Sequence, residues 1–154
     1  PDQVASQTKA VLDNLARQEK IREDLQEELA FIELNQALDE IREIHGIKLL
    51  TAILEYADLE SLRVMADRFR QKYPENGVVV LAAVVKDTPR IVAAVTDNLV
   101  EKNLKAGDLV KHVAEQVGGG GGGRPTMAEA GGKDPSNLRG ALASVEGWIK
   151  KQLS

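Results

Sequence analysis

Between Asp2 and His45 the chain contains neither glycine nor proline. Alanine, leucine, glutamate, glutamine, arginine and lysine fill the stretch, and all of them are strong helix formers. A backbone with no breaker and such propensities has few options, so residues 1–45 read as a helical arm, either one long helix or two with a tight turn. Unbroken, it would extend roughly 65 Å at 1.5 Å per residue. In a heptad frame the a positions are Val4, Val11, Gln18, Leu25, Ile32 and Asp39, and the d positions are Thr8, Leu15, Arg22, Leu29, Gln36 and Glu43. Half of these are apolar, a moderate coiled-coil pattern. A second stripe, Phe31, Leu34, Leu38 and Ile41, lies on a shifted face, as expected where the arm meets a body. One amphipathic helix cannot bury such stripes alone, so the arm is expected to dimerise or to pack on other sequence. A solvated spacer helix is the plainer alternative.

Gly46 is expected to stop the arm, and residues 46–154 read as a small mixed-sheet α/β domain flanked by helices. Ile47 to Leu54 reads as a buried strand, and Asp58 as the cap of a helix whose Leu59, Leu62, Ala66, Phe69 and Tyr73 recur at spacings of three and four. The outer face of that helix carries Arg63, Arg68, Arg70 and Lys72. Two apolar runs, Val78 to Val85 and Ile91 to Val95, predict a hairpin joined through residues 86–90. Gly107 and Asp108 open a further helix that turns Val110, Val113, Ala114 and Val117 inward and Lys111 and Glu115 outward. Asp134 and Pro135 start a last helix with an apolar face of Leu138, Ala141, Leu142, Val145, Trp148 and Ile149. Gly140 and Gly147, seven apart, are expected to let that helix approach the sheet closely.

Between these two helices stands GGGGGGRPTMAEAGG, from Gly118 to Gly132. The run satisfies G-x-G-x-x-G, but a dinucleotide fingerprint needs a strand before it and a helix after it, and here a helix precedes and Pro125 follows. A phosphate loop of nucleotide hydrolases requires Lys and Ser or Thr where Arg124 and Pro125 stand. A flexible linker is the plain reading of many glycines, yet RPTMAEA is not linker composition. Fixing six glycines forfeits on the order of 3 to 6 kcal/mol relative to alanine, more than a turn would justify. Bare peptide offers N–H groups to anions and no side chain to hold off a sugar-phosphate backbone. Arg124, at the exit, can add a bidentate phosphate contact.

Composition sets limits on the chemistry. The 154 residues include no cysteine, which excludes disulfides, thiol nucleophiles and thiolate metal sites. The net charge of -4 is uneven: residues 1–45 hold eleven acidic and five basic side chains, whereas residues 46–154 hold thirteen and fifteen. Only the body leans toward polyanions, and only slightly, so a nucleic-acid role must rest on local clusters. His45 and His112 are the only histidines, read as structural or exposed, and Asp58, Asp108 and Asp134 are read as helix caps. Aromatic residues make up only 3% of the chain, which leaves few platforms for stacked bases and favours recognition by shape and backbone. No apolar run spans a bilayer and the polar start is no signal peptide, so no membrane partner and a cytoplasmic setting are expected. The chain begins with Pro1, which suggests a piece of a longer protein.

The glycine motif with its Met127-Ala-Glu-Ala-Gly-Gly continuation, between an apolar helix and a capped terminal helix, resembles the C-terminal, DHH-associated domain of alanyl-tRNA synthetases. The likeness covers the body, and the arm fits the linker and dimerisation region of that family. The resemblance implies binding of the outer corner, or elbow, of tRNA, support of aminoacylation and editing on one tRNA, and dimer formation through the helices. It carries a nucleic-acid-facing role onto Gly118, Gly119, Gly120, Gly121, Gly122, Gly123 and Arg124. Lys105, Lys111, Lys133 and Arg139 join them as basic residues that flank the motif in sequence. It further implies that the catalytic parts lie elsewhere, with ATP, magnesium and zinc used by other domains and no cofactor in this stretch. DNA stands beside tRNA as a partner, because shape-and-backbone contacts discriminate weakly between polyanions. Two alternatives remain open: the substrate-binding lobe of a DHH-family phosphoesterase, whose glycine motif leads to a histidine where Arg124 stands, and a coiled-coil module with an inert body.

Overall fold

A computed structural model describes residues 2–154. Helix α1 runs unbroken from Asp2 to Leu38. It is therefore a single helix, and it ends seven residues before the expected stop. Residues Arg42–Ile44 form strand β1, paired antiparallel with β2 (Ile47–Ile53) in the register Ile44↔Ile47. Gly46 thus closes a hairpin and does not terminate a helix. His45 and Gly46 both take positive φ (51° and 81°), the two-residue turn whose twist suits adjoining strands. Burial of Ile44 and Ile47 in the core overrides the helical propensity around them.

Asp58 caps α2 (Leu59–Lys72) by accepting from the Ser61 N–H at 2.8 Å. That hydrogen bond holds its carboxyl below the usual aspartate range against the opposing effect of partial burial, and a cap of this kind contributes about 1 kcal/mol. The α2 crossover makes β2 parallel to β3 (Gly77–Val85), the one parallel pair in the sheet. Lys86 and Asp87, again both at positive φ, turn β3 directly into β4 (Thr88–Val95). Thr88 to Arg90, expected in a loop, extend the second strand. The six strands lie in the order β1-β2-β3-β4-β6-β5, where β5 is Gly120–Gly123 and β6 is Met127–Gly131.

Residues of β3 alternate between two cores, which explains their unbroken apolar run. Val78, Val80 and Ala82 face a cluster built with α4 (Ala106–Glu115), α5 (Leu138–Ala143) and α6 (Val145–Leu153). Val79, Leu81 and Ala83 face a second cluster built with α2 and the end of α1. The mixed α/β sandwich is the expected class.

The shifted stripe of the arm meets the body as anticipated: Leu34 is buried, and Leu38 and Ile41 pack on the second core. Glu33 reinforces the joint, its carboxylate accepting the Glu55 and Tyr56 backbone N–H groups at 2.9 and 3.1 Å. A short helix, α3 (Asp97–Glu101), was not anticipated. Asp134 caps a 3-10 turn, Pro135–Asn137, and the last helix is divided at Ser144. Gly147 faces open space and Gly140 is exposed, so neither draws the helix onto the sheet. Asp108 lies within the first turn of α4, whose cap position is Lys105, and so is not a cap. Among the described residues, no helix is long and apolar enough to cross a membrane.

Candidate nucleic-acid interface

The glycine run is neither a linker nor an open loop. Gly120 to Gly123 form an edge strand of the sheet, at the opposite edge from β1, and pair with β6 in the register Gly120↔Gly131 to Gly123↔Ala128. Glycine disfavours strands, so contacts with neighbours must hold it there. The Gly119 N–H donates to Ala114 O at 2.9 Å, tying the entry to α4. Lys133 and Asp134 donate their N–H groups to Val117 O at 2.8 and 3.0 Å, tying down the exit. At the tip, Pro125 O accepts from Ala106 N–H (2.8 Å) and Thr126 O from Val95 N–H (2.9 Å). The hairpin is fastened at both ends.

Only some of the glycines are demanded by this packing. A Cβ on Gly119 would run into the Gly131 carbonyl, and one on Gly121 would meet Glu129 O and Ala130. Gly123 would press on Ala128 Cα at 2.8 Å, and Gly118 takes φ of +71°. A Cβ on Gly120 would touch nothing within 4 Å, and on Gly122 only Lys111 Cε at 3.7 Å. Two positions on an exposed strand are therefore bare without a packing reason.

Four of the five expected basic residues surround this strand. Arg124 sits in the hairpin tip, its N–H donating to Met127 O at 3.0 Å, and Lys105 precedes the Ala106 amide that binds the same tip. Lys111 lies beside Gly122, and Lys133 Cβ would be 3.8 Å from a Cβ on Gly118. All four are exposed, and none is in an ion pair among the described residues. Arg139 is not brought to them. It lines a groove of about 870 Å³ with Glu33, Arg42, Thr51 and Glu146, on the side of β2 and three strands from the glycine hairpin's nearer strand. Sequence spacing missed Arg90, which pairing places opposite Gly131 with its Nη1 3.3 Å from a Cβ there. Only the strand order, which inserts β6 beside β4, could have revealed it.

The polar side chains of His112, Ser144 and Asp134 are engaged with their neighbours. Ser144 donates its hydroxyl to Ala141 O (2.6 Å) and receives the Gln116 amide (2.8 Å), and His112 Nε2 lies 2.9 Å from the same oxygen. The ring stacks on Trp148 at 6.0 Å. The serine hydroxyl is thus engaged with the backbone of its own helix. Asp134 accepts the Ser136 hydroxyl and N–H at 2.6 and 3.0 Å, which lowers its pKa. Phe69 is buried, whereas Phe31 and Tyr56 are partly exposed. Arg68 stacks over Phe31 at 4.6 Å. No group of three or more His, Asp or Glu side chains able to hold a metal ion occurs among the described residues.

Comparison with known proteins bears on this arrangement. Residues 46–151 match the family model of the DHHA1 domain. The chain is 44% identical over 153 residues to an alanine–tRNA ligase of Aromatoleum aromaticum, and 42% identical over 151 residues to that of Bacillus subtilis. These matches take in 99% and 98% of this chain but 17% of each relative, so the chain spans about a sixth of their length. The crystal structure of the C-Ala domain from Aquifex aeolicus alanyl-tRNA synthetase superposes with a TM-score of 0.64 at 29% identity. The superposition covers 74% of this chain and 97% of that domain.

Proposed function

The chain belongs to the DHHA1 domain family, and from that premise we propose that it is the tRNA-binding C-terminal part of an alanine–tRNA ligase, cytoplasmic and without a catalytic centre or cofactor of its own. It binds the tRNA elbow through the glycine hairpin and its surrounding cations, and so assists aminoacylation and editing performed by other domains. The observation that carries this reading is the pair of bare positions, Gly120 and Gly122, set among Lys105, Lys111, Arg124 and Lys133. Packing does not require glycine there, whereas close approach of a sugar-phosphate backbone does. The same chemistry accepts DNA.

The test is a titration of tRNA at several salt concentrations with the wild-type chain, Arg124→Ala and Gly120→Val. Engagement of three or four phosphates predicts a slope of log affinity against log salt of roughly -2 to -4. Arg124→Ala should weaken binding and reduce the slope by about 0.7 to 0.9. Gly120→Val should keep its fold, because a Cβ there meets nothing, and should lose affinity. A flat salt response, or binding indifferent to both changes, would overturn the reading.

Dimerisation through α1 belongs to the same proposal. Val4, Val11, Leu12, Leu15, Ile21 and Leu25 are each more than half exposed along the arm, a length of apolar surface that a second copy's helix would cover. Sedimentation equilibrium should show a monomer–dimer transition, abolished by Leu15→Lys with Leu25→Lys; a monomer at all concentrations would refute it.

A further inference from the structure

One charge on the hairpin opposes the function proposed for it. Glu129 lies in β6 directly across from Gly122, one of the two bare glycines. Partners in such a ladder are about 5 Å apart at Cα, so an unmasked carboxylate here would stand well within a Debye length of any phosphate brought to the strand. It is the one acidic residue of the MAEAGG continuation. Arg63, from α2, reaches across and grips it with two parallel hydrogen bonds, Nε to Oε2 at 2.5 Å and Nη2 to Oε1 at 2.7 Å. This is the bidentate geometry of a strong arginine–carboxylate pair. The pair is about half exposed on both sides, 46% and 42%, so it faces solvent. The hydrogen bond from Arg63 holds the glutamate's pKa down in spite of partial burial, with the charges of Arg63 and Arg90 adding to it. Glu129 is thus ionised at neutral pH and would repel a polyanion if left alone.

We propose that Arg63 is a positioning residue for polyanion binding, masking Glu129 so that the glycine strand presents no uncompensated negative charge to phosphate groups. The proposal rests on the tRNA-binding reading above. It differs from a direct contact, because Arg63 acts through Glu129 and removing both side-chain charges should do little harm.

The experiment is a tRNA titration of the full chain as wild type, Arg63→Ala, Glu129→Gln and the double variant, at low and high salt, with thermal melts alongside. Arg63→Ala should weaken binding on the order of fivefold at low salt. That deficit should shrink as salt rises and screens the exposed glutamate. Glu129→Gln alone should bind as well as wild type or better, and the double variant should return to within about twofold of wild type. Melting temperatures should move little, because exposed ion pairs contribute little to stability. A deficit that Glu129→Gln fails to rescue would mean Arg63 touches the RNA itself, and would overturn the proposal. A deficit that persists unchanged at high salt would mark a structural defect and overturn it too. Wild type that binds while Arg63→Ala binds equally well sinks this proposal alone, whereas wild type that does not bind sinks the tRNA reading and this with it.

Discussion

Gly121→Val is expected to destabilise the chain by about 3 kcal/mol or more, at or beyond the upper end of ordinary overpacking. The neighbouring Gly120→Val should cost nothing measurable. The difference comes from what each new side chain would meet. At Gly121 the first atoms are the Glu129 carbonyl and the Ala130 backbone, with Ala130 Cα at 2.5 Å, and none of them can move without breaking the pairing with β4. At Gly120 there is open space, and valine is a better strand former than glycine. Helix α4 packs along the same strand, with Gly107 only 3.5 Å from Gly123 O as measured from a Cβ, so displacing β5 also disturbs a helix. Denaturant titration of the two variants side by side checks this, and hydrogen exchange should show the β5–β6 amides losing protection only in Gly121→Val. Equal stabilities would mean that the strand is not held against β6 as described.

Phe69→Ala should cost about 3–5 kcal/mol, the range for deleting a buried aromatic. Phe69 is 2% exposed and sits between α2 and the sheet, with Tyr73 5.2 Å away across the ring centroids. It also lies against Gly77, where a Cβ would come within 3.0 Å of its ring. The strand is tightly fitted at this point and cannot collapse into the vacated volume, which places the loss toward the upper part of the range. Phe69→Leu should lose about 1 kcal/mol, since it keeps most of the volume. Thermal unfolding separates the two, with a shift of roughly 10 °C expected for alanine in a chain of this size. A shift for alanine no larger than for leucine would contradict the packing.

What sequence reasoning could read follows a physical divide. Strands β3 and β4 were legible because burial on both faces demands an unbroken apolar run, and α2 because its cap and its three-four spacing are local. The attachment of the arm was legible in the Leu34, Leu38 and Ile41 stripe. The end of α1 was not, because Ile44 leaves the helical pattern only to fill a core formed by distant residues. Nor was β5: four consecutive glycines carry no side-chain pattern, and their strand is imposed by β6 and α4. Within the candidate interface, residues adjacent to the motif in sequence came together, as Arg124, Lys111 and Lys133 did. Arg139 fell on another face because α5 carries it across the sheet, and Arg63, Arg90 and Glu129 were gathered by topology alone.

The arm is held near one end only. Its buried residues, Ala30 and Leu34, and the Glu33 clamp all fall in the last third of a 37-residue helix, while residues 2–29 are exposed throughout. Such a rod is a mechanical lever. From Leu34 back to Asp2 it measures about 48 Å, so a tilt of about 10° at the clamp carries the far tip through roughly 8 Å. Small repacking around Leu34 is therefore converted into large displacement at a distance, and the stiffness of that single joint sets how far the arm's tip can swing relative to the glycine hairpin.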